Sequence, residues 1–91
     1  MVRNNDVVAI FHSVHKVMKA EKILKRENFE ILLIPVPRQL TSDCGLAIRY
    51  AESQREKIEL FLKQQNLEPE ELFLKTDAGF ELITSVQERP I

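Results

Sequence analysis

Cys44 is the only cysteine in a chain of 91 residues, and it stands next to last in the stretch Pro35 to Gly45, which reads P-V-P-R-Q-L-T-S-D-C-G. A thiol reacts as its thiolate, so what matters is which neighbours favour or oppose ionisation. Arg38 puts a fixed cation into the same stretch, and Thr41 and Ser42 add hydroxyls. Asp43 works against them, because an adjacent carboxylate raises a thiol pKa. Pro35 and Pro37 fix φ at the entry, and Gly45 is expected to free the backbone at the exit. A polar loop of this length between apolar runs is more often functional than a plain turn.

A lone cysteine is commonly a small buried hydrophobe. Thr41 and Ser42 are turn-formers as readily as site residues, and Arg38 could brace carbonyls in its own loop. His15 could be a simple exposed helical residue, and His12 a solvated residue at a strand end. One thiol excludes an internal disulfide, a C-x-x-C redox pair and a cysteine-rich zinc site. A metal site from Cys44, His15 and His12 has no standard ligand spacing, so no metal and no cofactor is expected.

Composition narrows the partners. A chain of 91 residues is one domain, expected over residues 1–84 with 85–91 as a tail, poorly anchored and disordered. Hydrophobic content of 44% against 30% charged residues suits a soluble globular protein. A net charge of −1 gives no electrostatic case for nucleic acid. No apolar run is long enough to span a bilayer and the first residues do not read as a signal peptide, so a cytoplasmic protein is expected.

The elements that must position Cys44 follow from periodicity. Val7 to Phe11 is a continuous apolar run, as in a buried central strand. Ser13 can cap a helix from Val14 to about Glu27. Its apolar arc would hold Val14, Val17, Met18, Ala20 and Leu24, with Lys16, Lys19, Lys22 and Arg26 opposite. Glu21 intrudes on that arc and is expected to pair with Lys25, four residues on. Asn28 closes the helix, and Phe29 to Ile34 forms a second strand. Leu46 to Tyr50 forms a third. Ser53-x-x-Glu56 reads as a capping box opening a second helix, which runs to about Gln65 with Asn66 as its stop. Glu71 to Lys75 is a fourth strand, and Phe80 to Ile83 an extra one across a turn at 76–79.

The resulting order, βαββαβ, predicts a ferredoxin-like α+β sandwich. Its antiparallel sheet would run 4-1-3-2, with both helices on one face and an extra C-terminal strand. The core is expected from Val8, Ile10, Val17, Leu24, Leu33, Ile48, Ile58, Phe61 and Phe73. In this topology the first two strands run parallel and end at one edge of the sheet. The helix that starts there would meet the cysteine loop and offer Cys44 the partial positive charge of its N-terminus. His15 would stand in the first turn as proton acceptor or cation.

The P-x-P-R run leading through a short polar segment to C-G, with Ser13-Val14-His15 and Ala20-Glu21-Lys22 upstream, resembles the selenium/sulfur carrier protein-like family of small bacterial and archaeal domains. The resemblance covers roughly residues 7 to 75. Val14 and Val17 depart from it, standing where the family usually has a hydroxyl and a small residue. It implies a ferredoxin-like fold and a carrier rather than a turnover enzyme. Cys44 would hold a persulfide or selenylsulfide; on charge and topology His15 and Arg38 are expected to assist it, with Ser13 at the helix start and Thr41, Ser42 and Gly45 in the loop as binding residues. It implies donor and acceptor partners of the cysteine desulfurase and selenophosphate synthetase kinds. The sheet edges also permit a homodimer. The competing reading is a small-ligand or protein-binding module in which Cys44 is only structural.

Overall fold

β1 (Asp6–Ile10) reads D-V-V-A-I, and all five residues are buried. A strand buried on both faces must be covered on both, and that requirement sets the architecture. In the computed structural model, which describes residues 3–40 and 45–85, β1 is the middle strand of an antiparallel sheet. The order of its five strands is β2-β3-β1-β4-β5, with β2 spanning Leu32–Pro35, β3 Leu46–Ala51, β4 Glu71–Thr76 and β5 Gly79–Ser85. Helix α1 (Val14–Arg26) connects β1 to β2, and α2 (Arg55–Gln64) connects β3 to β4. Four strands thus stand in the expected order. β5 extends the sheet beyond β4 with seven residues rather than the expected four, so Ser85 belongs to the sheet and not to the tail. Residues 86–91, the rest of that expected tail, lie outside the described residues.

Strand alternation splits the interior in two. Val7 and Ala9 face both helices and share a core with Val17, Leu24, Ile58 and Leu62. Val8 and Ile10 point the opposite way and cluster with Ile34 and Ala47, against which Val36, Leu40, Phe73 and Phe80 pack. The single expected core therefore mixed two: Val8, Ile10 and Phe73 belong to the helix-free face. Leu33 and Phe61 are only partly buried, on the helix side. The period of two along a strand dictates this division.

Both helices end alike. Asn28 and Asn66 adopt left-handed backbone, φ 66° and 60°. Phe29 N–H donates to Leu24 O at 3.1 Å, and Leu67 N–H to Leu62 O at 2.8 Å. These bonds satisfy carbonyls that a helix end leaves open, and each brings an apolar residue onto the core. Phe29 is thereby drawn to the helix side, its ring 6.1 Å from that of Phe61. The second strand consequently starts at Leu32, not Phe29.

Two details at the helices depart from expectation. The Ser53–Glu56 capping box does not form: a 3-10 turn, Glu52–Gln54, leads into α2, and Gln54 caps it without a side-chain hydrogen bond. On α1 the buried stripe is narrow, Val17, Ala20 and Leu24, at spacings of three and four. Val14 and Met18 lie outside it, 66% and 46% exposed. Glu21 pairs with Lys25 at 3.0 Å, as expected. Among the described residues no helix is long and apolar enough to cross a membrane.

Candidate functional site

Sheet register brings four strand ends level. Ala47 pairs with Ile34 on one side and Ile10 on the other, and Ile10 pairs in turn with Glu71. β1 and β2 therefore end, and β3 and β4 begin, at one edge of the sheet. α1 starts at that edge, with three residues between it and the end of β1. The segment from Pro35 to Gly45 leaves and re-enters there.

Ser13 has extended backbone and caps α1, its Oγ accepting from the Lys16 N–H at 3.2 Å. Val17 N–H donates to the Ser13 carbonyl at 3.0 Å. The N–H groups of Val14 and His15 then have no acceptor inside the helix, and the dipole adds its positive end there. Glu70 fastens this corner to β4. Its N–H donates to Ile10 O at 2.9 Å, and its carboxylate accepts from the His12 N–H at 3.0 Å. The same carboxylate lies 3.6 Å from Lys16 Nζ.

A cleft of about 270 Å³ opens at this corner. Ser13, Val14 and His12 line one side, Val36, Leu40 and Gly45 another, with Ile10, Val17 and Glu71 also contributing. Most of its lining side chains are apolar, and His12, Ser13 and Glu71 are the polar ones among the described residues. His12 Nε2 stands 3.9 Å from Glu71 Oε1, an ion pair when the imidazole is protonated.

Of the residues expected at the site, Ser13 and Gly45 line this cleft. His15 is exposed in the first turn of α1 and is not part of the lining. Arg38 is exposed in a turn closed by the Leu40 N–H on Pro37 O at 3.0 Å, also away from the lining. Thr41, Ser42, Asp43 and Cys44 lie outside the described residues. Gly45 does not need its conformational freedom: a Cβ there would meet only Val36 Cγ2 at 3.7 Å, an ordinary contact. In the sequence, His12 reads only as a solvated strand-end residue or a weak metal ligand, and Glu71 only as the head of a strand. Their positions, just after one strand and at the head of another, were readable, but their pairing depends on register between distant segments.

The family described as "Putative Se/S carrier protein-like" matches residues 6–74, three quarters of the chain. The chain belongs to this family. The match runs from the first residue of β1 into β4 and includes both helices and the whole cysteine loop, while β5 lies beyond it. No curated protein and no solved structure matches the chain.

Proposed function

We propose that this Se/S carrier-like protein holds sulfur or selenium on Cys44 and passes it between partner proteins. The observation that carries the reading is the shared cleft. Gly45, the residue after Cys44 in the chain, lines it together with the capping Ser13 of α1. A helix start suits the negative charge of a thiolate or of a terminal persulfide, and family membership supports a carrier role in general.

The transfer is a displacement at the chalcogen. The Cys44 thiolate attacks the outer sulfur of a donor's persulfide, and a new bond forms to Cys44 Sγ. The donor's own sulfur–sulfur bond breaks, and the donor departs as a thiolate with the electron pair. Cys44 then bears a persulfide, and an acceptor thiolate repeats the same step. With selenium the product is a selenylsulfide. No net oxidant is needed, and a single cysteine leaves no second thiol to expel the cargo. Donors of the cysteine desulfurase kind and acceptors of the selenophosphate synthetase kind fit this chemistry, in a reducing compartment such as the cytoplasm. His15 and Arg38 would tune the loop's charge from outside the cleft.

The test is loading. Incubated with a cysteine desulfurase and cysteine, or with a selenocysteine lyase and selenocysteine, the protein should gain one sulfur or selenium by intact mass, removable by a thiol reductant. Cys44→Ala should abolish the gain, and His15→Ala or Arg38→Ala should slow it. A chain that loads nothing, and whose thiol labels only after unfolding, would instead be a binding module with a structural cysteine.

A further inference from the structure

The exposed ridge of α1 carries an unusual combination. Val14 and Met18, one turn apart, are 66% and 46% exposed, and Val14 also lines the cleft. Lys22 continues the same line one turn further, with Lys19 beside Met18, and both lysines are exposed. Lys25 is held by Glu21 and Lys16 approaches Glu70, whereas Lys19 and Lys22 form no ion pair with any described residue.

The charge is lopsided as well. α1 holds four lysines and one arginine against a single glutamate, a net charge of +4 in a chain whose total is −1. The other segments together therefore carry −5. A basic helix on an acidic body steers an acidic surface toward one side and repels it from the rest. Two exposed apolar side chains with Lys19 and Lys22 beside them offer the apolar centre and polar rim of a small protein interface.

We infer that Val14, Met18, Lys19 and Lys22 form the docking surface for the protein donor that delivers the chalcogen. That partner would offer an apolar pocket rimmed by carboxylates. The inference rests on the carrier reading above and deepens it: the ridge begins at the cleft, so a partner seated on it has its own site next to the cysteine loop.

Two donors separate the two claims. A cysteine desulfurase charged with cysteine must dock to transfer sulfur, whereas glutathione persulfide need not. Met18→Glu and the pair Lys19→Glu/Lys22→Glu should each slow loading from the desulfurase about tenfold or more, a change in encounter of the size that charge reversal produces. Loading from glutathione persulfide should keep its wild-type rate. Added salt should slow only the protein-donor reaction, and Lys19→Arg/Lys22→Arg should retain it. Unchanged desulfurase loading in the Glu variants, or equal slowing with both donors, overturns the docking surface. So does a wild type that loads from glutathione persulfide alone. Loading from neither donor defeats the carrier reading itself. Concentration-dependent self-association, lost in the Glu variants, would assign the ridge to a second copy and also overturn the inference.

Discussion

Tyr50 is the only tyrosine, and it is 1% exposed in the core beneath the helices. Its hydroxyl donates to Glu59 Oε2 at 3.2 Å, and Arg55 Nε donates to the same oxygen at 2.9 Å. Burial, reinforced by the Glu59 charge and its hydrogen bond, pushes the phenol far above its ordinary value. In the unfolded chain the phenol ionises near pH ~10. Above that pH the folded state holds one more proton than the unfolded state. The stability Tyr50 contributes is thus whole below ~10 and falls above it, by at most about 1.4 kcal/mol per pH unit. Tyrosinate absorbance should therefore appear in one step with loss of the circular dichroism signal. Smooth ionisation near pH ~10 with the fold intact would contradict this burial. The sequence announced Tyr50 as the end of a strand, but not its partner on α2, because that contact depends on how the helix crosses the sheet. The approach of His12 to Glu71 was not foreseen for a similar reason.

At the scale of elements, the two helix stops were legible because Asn28 and Asn66 each follow an amphipathic run and tolerate left-handed backbone. Both do adopt it. Asn28→Gly and Asn66→Gly should leave stability unchanged or slightly raised. Asn28→Ala and Asn66→Ala should each cost about 1 kcal/mol, since a Cβ disfavours positive φ. Chemical denaturation of the four variants checks this, and equal effects of glycine and alanine would count against the cap geometry. The missing capping box before α2 shows the limit of such motifs. Ser53 and Glu56 have the right spacing, yet the chain leaves β3 through a 3-10 turn and begins the helix after Gln54. For α1 the apolar arc was read too wide, because periodicity gives the side that faces inward and not how far the sheet extends beneath it. Val14 and Met18 were the residues left over.

For the molecule as a whole, strand order was legible because short connections and right-handed crossovers leave few alternatives for two β-α-β units. The division of the interior was not, since a run such as Val7 to Phe11 hides which alternate residues meet the helices. The two ends of the loop, Pro35 and Gly45, could be assigned to the correct edge because strand direction alone decides that. β5 stands outside the family's shared span yet pairs with all six residues of β4. Without it, β4 would present a bare row of backbone donors and acceptors, the kind of edge on which another chain can polymerise. At the opposite edge β2 is only four residues long and ends in Pro35, which has no N–H to offer. The hairpin thus works as a selvedge, the finished border that keeps a woven sheet from fraying into its neighbours. Cutting the chain after Ala78 should leave helical content near wild type but turn a dispersed protein into one that associates as concentration rises. Sedimentation of the truncated and intact chains side by side measures this directly. A truncated chain that stays dispersed would mean β4 guards its own edge.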